Sequence, residues 1–61
     1  MRCKIGDIVI IINAHPDKAK YIGKITTIIG KSNYANNNWE LELTNEHGDT
    51  LFAPDNYLRL S

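Results

Sequence analysis

Ile8-Val9-Ile10-Ile11-Ile12 sets five β-branched residues in a row, and no other feature of the chain narrows its fold so far. Branching at Cβ restricts χ1 and crowds a helix, whereas the same side chains pack well on a pleated surface. Gly6-Asp7 opens a first strand that is read as Ile8 to Asn13. Both of its faces are apolar, so the strand is central in a sheet or has one face under a loop. Short β-rich runs punctuated by turn residues continue to the C-terminus, the pattern of a small all-β barrel. There is no amphipathic helical stretch of useful length.

Residues 14–20, Ala-His-Pro-Asp-Lys-Ala-Lys, read as a polar loop broken by Pro16. A second strand is expected over Tyr21 to Ile29, where the internal Gly23 implies a bend or a close backbone approach. A loop over Gly30 to Asn38 contains Asn36-Asn37-Asn38, residues that tolerate left-handed turn angles. Trp39 to Thr44 alternates cleanly, with Trp39, Leu41 and Leu43 on one face and Glu40 and Glu42 on the other, as in a half-buried antiparallel strand. Asn45 to Asp49 is a hairpin turn in which Gly48 supplies the positive φ. A fourth strand covers Thr50 to Ala53, and Pro54 to Tyr57 reads as one 3₁₀ turn. Leu58 and Leu60 then form a closing fifth strand with Arg59 outward.

At 61 residues, the chain is read as one domain, residues 1–61, near the lower size limit for folding without staples. Cys3 is the sole cysteine, so no intrachain disulfide assists. Cys3, His15 and His47 are scattered and lack a fourth partner, which excludes a structural zinc site, and no metal or cofactor is expected. Apolar burial must suffice, and 43% of the residues are hydrophobic. The longest apolar run has five residues, against about 20 for a membrane helix and about 7–15 for a signal-peptide core. The expectation is a cytoplasmic protein with no membrane segment, in keeping with its one unpaired thiol.

Net charge is zero, but unevenly distributed. Residues 1–31 hold six basic side chains against two acidic, and residues 32–61 hold one basic against five acidic. A neutral total argues against a dedicated nucleic-acid binder held by phosphate contacts, while the asymmetry permits a two-faced surface.

Trp39, Gly48, Phe52 and Pro54-Asp55-Asn56-Tyr57-Leu58 resemble the closing signature of Src-homology-3 domains, in which an aromatic strand meets a Pro-x-Asn-Tyr turn and a short apolar strand. The likeness covers roughly Trp39 to Leu60. It implies a five-stranded SH3-like small β-barrel with one 3₁₀ turn before the last strand. It also implies an apolar groove in which the residues matching Pro54 and Tyr57 hold a polyproline helix and the one matching Asn56 donates a hydrogen bond. The chain departs from that pattern in three places. Its opening strand is Gly-Asp-Ile-Val-Ile-Ile-Ile rather than tyrosine-rich, its first loop reads Asp17-Lys18-Ala19-Lys20 where acids are usual, and Trp39 alternates with core leucines. The reading therefore extends to the fold and the groove, not to polyproline binding.

Lys4 to Ile11, a basic loop, and then Tyr21-Ile22-Gly23-Lys24-Ile25 are similar to the KOW motif of ribosomal and transcription-elongation proteins. That resemblance implies a loop that touches RNA or a partner protein. Tyr21 with Lys18, Lys20 and Lys24 then reads either as a patch that stacks a base and meets phosphates, or as a solvated loop with a rim tyrosine. Tyr34 and Tyr57 either line a ligand groove floored by Pro54, or serve as a loop residue and the anchor of the 3₁₀ turn. Pro54 and Asn56 are expected to set and cap that turn. Cys3, near a terminus expected to fray, has no activating neighbour, and Glu40 and Glu42 read as a solvated face rather than a catalytic pair.

These readings converge on a non-enzymatic module that binds a macromolecule through rim loops, a protein ahead of a nucleic acid. Tyr21, Tyr34, Pro54, Asn56 and Tyr57 are its candidate partner-binding residues, and Lys18, Lys20 and Lys24 its candidate nucleic-acid contacts. The alternative is a KOW-like RNA- or DNA-binding module. Starting at Met1 with no linker, the chain is expected to work as an accessory or inhibitory protein that occupies or bridges a larger partner. An Ile-rich surface and a short last strand leave a homodimer open.

Overall fold

A computed structural model describes residues 2–32 and 38–61. Its strands are β1 (Ile8–Ile11), β2 (Ile25–Lys31), β3 (Asn38–Thr44), β4 (Thr50–Pro54) and β5 (Leu58–Leu60). Two 3₁₀ helices interrupt them, η1 (Pro16–Tyr21) between β1 and β2 and η2 (Asp55–Tyr57) between β4 and β5. All pairings are antiparallel, and the strands form one sheet in the order β4-β3-β2-β1-β5. No helix among the described residues is long and apolar enough to cross a membrane.

The first strand lies inside the sheet, between β2 and β5, but only one of its apolar faces is buried, and Ile8 on the other is exposed. The sheet's two edges, β4 and β5, are joined by the three residues of η2. Five flat strands about 4.8 Å apart would set those edges roughly 19 Å from each other. A 3₁₀ turn rising about 2 Å per residue crosses only about 8 Å from Pro54 to Leu58. The sheet must therefore curl strongly, and the molecule measures 26 × 23 × 17 Å. Among the described residues no ladder joins β5 to β4, so the curl leaves a seam.

Alternation then decides what lies inside. Val9, Ile11, Ile28, Trp39, Leu41, Ala53 and Leu58 pack together on the concave face. Val9, Ile28 and Leu58 are fully excluded from solvent, each contributing roughly 1.5–3 kcal/mol. Leu41 sits opposite Ile28 across the β2–β3 ladder. Trp39 is buried as its alternation with the leucines implied. Thr26, the one buried polar side chain among the described residues, donates its hydroxyl to the Glu42 carbonyl at 3.0 Å.

Four expectations are corrected. Tyr21 does not open the second strand but closes η1, and β2 starts only at Ile25. Gly23 makes the bend between them at φ 93°. No atom lies within 4 Å of a Cβ built there, so conformation rather than close approach demands the glycine. Residues 14–20 are less irregular than their polarity suggested, because Pro16 starts η1 at the position where its missing N–H costs nothing. Leu60 does not enter the core. It lies opposite Val9 on the edge strand, where no further strand among the described residues covers it, and is half exposed. Cys3, finally, is buried in the core rather than frayed.

The hairpin turn is as read: Gly48 has φ 83°, and Asn45 Oδ1 accepts hydrogen bonds from the amides of His47 and Asp49 at 2.9 and 3.0 Å.

Candidate functional site

On one side of the seam a solvent-open groove of about 280 Å³ runs between the β1–η1 segment and β4–η2. Its apolar surface comes from Tyr21 on η1, Leu51, Phe52 and Pro54 on β4, and Tyr57 on η2, and its rim includes His15 and Lys18. Each wall has a local cause. His15, extended at φ −61°, ψ 153°, precedes Pro16 and accepts the Lys18 amide at its carbonyl at 2.8 Å. Lys18 breaks the helical angles at φ −120°, ψ 16°, kinking η1 there. On the opposite wall, the Ile12 amide donates to the Tyr57 carbonyl at 2.8 Å, tying η2 to the end of β1. The His15 and Tyr57 rings meet edge to face, centroids 6.0 Å apart and planes at 71°, within the favourable range for aromatic pairs.

Beneath η2 lies a residue the sequence reading passed over. Asp55 sits at its start with a side chain only 15% exposed. Its Oδ1 accepts hydrogen bonds from Trp39 Nε1 at 3.1 Å and from the Cys3 amide at 3.0 Å. Its Oδ2 accepts from the amide and Nε of Arg2, both at 3.2 Å. Arg2 Nη2 also donates to the carbonyls of Asp55 and Leu58, at 2.8 and 2.6 Å. The N-terminal segment, the core tryptophan and the last turn are thus tied at one carboxylate. Burial pushes that carboxyl up, but the hydrogen bonds from Trp39, the two amides and the guanidinium outweigh it and hold it well below the usual carboxylate range. Burial, reinforced by the nearby Asp55 carboxylate, pushes the Cys3 thiol up, which keeps it protonated and unreactive. Asn56, expected to cap the turn, is exposed and caps nothing, since η2 has no side-chain cap. The acid one residue earlier does the fastening.

Of the five partner-binding candidates, Tyr21, Pro54 and Tyr57 meet in the groove, Asn56 lies outside it, and Tyr34 lies outside the described residues. The three lysines do not act together. Lys18 reaches the groove rim, and Lys24 lines neither cavity. Lys20 instead lies over the Tyr21 ring at 5.4 Å and donates to Glu46 Oε2 at 3.0 Å. A second hollow of about 210 Å³ there includes Asp17 and Glu46 as well as the lysines, so its charge is mixed. Glu46 is held ionised below its ordinary value, first by a backbone hydrogen bond within its own residue and then by Lys20. Among the described residues no three His, Cys, Asp or Glu side chains converge as a metal site would require.

Two of the missed features had a signal. A tryptophan placed in the core must find a partner for its indole N–H, and an acid directly after a proline, at the start of a turn, is well placed to bond nearby amides. Nothing in the sequence announced the Arg2 contacts, which join residues 53 and 56 positions apart. Comparison with known proteins gives no significant match to any protein-family model, curated protein or solved structure.

Proposed function

We propose that the chain is a non-catalytic protein-binding module, an SH3-like barrel that acts by occupying or bridging a larger partner through the groove between η1 and β4–η2. The observation that carries this reading is the convergence of Tyr21, Phe52, Pro54 and Tyr57 on one open apolar groove. Phe52 is 44% exposed there, and rigid rings held open to water give a partner contact area at little entropic cost. The backing is firm, because Asp55 fastens η2 from beneath, so the wall bearing Pro54 and Tyr57 is organised before anything binds. The curled five-stranded sheet with a 3₁₀ turn before its last strand supports the SH3-like reading of the fold.

The KOW-like reading rests on less. Of its three lysines, Lys20 is paired with Glu46, and Asp17 immediately precedes Lys18 in the chain. Phosphate binding needs several unpaired cations acting together.

The test is capture from native lysate by immobilised wild type beside Phe52→Ser and Lys18→Glu, two exposed positions whose replacement leaves the core intact. A protein retained by wild type and lost with either variant is the expected result. Equal capture by all three, or retention of nucleic acid alone, refutes the proposal.

A further inference from the structure

The shape of the groove says what kind of segment fits it. Leu51, Phe52, Ala53 and Pro54 all line it, although successive residues of a strand point to opposite faces. Leu51 and Ala53 are buried and Phe52 exposed, as that alternation requires. A void bordered by four consecutive residues reaches the edge of the strand, although Leu41 and Asn38 of β3 border it as well, so it also covers part of the concave face. One edge of β4 is taken by β3, and among the described residues the other has no neighbouring strand. The groove therefore reaches a strand edge that has no ladder partner among the described residues, facing the wall that bears Lys18 and Tyr21.

Charge gives the second constraint. No carboxylate appears among the groove's lining residues, while Lys18 stands on its rim. Lys20 has its counter-ion in Glu46, but among the described residues Lys18 has none. An occupant that brings a negative charge to the rim meets a cation with no ion-pair partner among the described residues, and one that brings a positive charge there meets that cation's repulsion.

We propose that the groove takes an extended, acid-bearing segment of a partner protein, which adds to the free edge of β4 as a sixth strand and sets a carboxylate against Lys18. This deepens the protein-binding reading above and rests on it. Main-chain hydrogen bonds to Thr50–Ala53 supply affinity, and alternate side chains drop between Tyr21 and Tyr57. Pro54 has no N–H to offer, so the added strand is confined to the part of β4 before it.

The test uses the whole chain and a fluorescein-labelled peptide, Val-Glu-Val-Tyr-Val-Glu-Val. Beside it run the same peptide with lysine for each glutamate, an analogue N-methylated at alternate residues, and a polyproline peptide. Anisotropy titrations report affinity, and 15N amide spectra report place. The acidic peptide is expected to saturate, to shift the amides of Leu51, Phe52 and Ala53, and to protect from exchange those β4 amides that face the free edge. The lysine and N-methylated analogues should each bind about tenfold or more weakly. Lys18→Glu should reverse the preference between acid and base without altering the remaining spectrum. Equal binding of the acidic and lysine peptides, tighter binding of polyproline, or no saturation at millimolar peptide overturns the inference. So does a concentration-dependent dimer whose β4 amides are protected without peptide, because a second copy would then hold the edge. If peptides fail while capture that depends on Phe52 persists, the occupant is wrong and the module reading stands. If both fail, both fall.

Discussion

Replacing Asp55 by alanine removes the acceptor of four hydrogen bonds at once. The two from Arg2 are exposed and contribute little, as surface ion pairs generally do. The Cys3 amide and Trp39 Nε1 are part-buried, and each left without a partner costs about 1–3 kcal/mol. The expected loss is about 2–4 kcal/mol, most of the roughly 3–5 kcal/mol that a core this small supplies. Trp39 is the chain's only tryptophan, so its fluorescence during a urea titration reports the transition without interference. With a slope near 1 kcal/mol/M, at the low end for small proteins, the midpoint should fall by about 2–4 M. Asp55→Asn keeps one acceptor oxygen but loses the charge, and should cost less.

The pH dependence supplies the control. The folded carboxyl titrates below the ordinary value of 3.8. Its stabilisation is therefore complete above about pH 5 and fades as pH falls through the unfolded value toward the lower folded one. Wild type should lose stability over that acid window faster than Asp55→Asn. An Asp55→Ala midpoint within about 0.5 M of wild type, or parallel acid profiles for wild type and Asp55→Asn, refutes the claim that this carboxylate ties the fold together.

Ile28→Ala, at a fully buried position opposite Leu41, should cost about 2–4 kcal/mol by urea titration, whereas Leu60→Ala, half exposed at the sheet edge, should cost a small fraction of that. Gly23→Ala meets no atom within 4 Å but must hold φ 93°, so a loss of roughly 1 kcal/mol from strain alone is expected, read in the same titration. Charge reversal of Lys18, Lys20 and Lys24 to glutamate should leave RNA retention on a filter at low salt unchanged from wild type, and a drop would favour the KOW-like alternative.

Where local pattern and tertiary environment agreed, the sequence was a sound guide. The alternation of Trp39, Leu41 and Leu43 placed β3 and its buried face, and Gly48 placed the hairpin turn, because both signals act over a few residues. The second strand was misplaced because Tyr21 and Ile22 have the β propensity of a strand, yet lie in η1 and the turn that Gly23 makes. Leu60 shows that apolarity at the correct period does not ensure burial, since an edge strand has no neighbour to cover it. For the groove, Pro54 and Tyr57 were legible from their place after the aromatic strand. Phe52, although noted, was not singled out for the groove, because its role depends on β4 being an edge. Asp55 was missed because its four donors come from Arg2, Cys3 and Trp39, far away in sequence and brought together only by the curl of the sheet.

Photo-cross-linking compares the two faces of the molecule directly. A benzoylphenylalanine installed at position 52 borders the groove, and one at position 8 stands on the exposed outer side of β1. Illumination in native lysate should yield a discrete protein adduct from position 52 and none from position 8. An adduct formed equally from both, or from position 8 alone, would contradict the assignment of the groove as the binding surface.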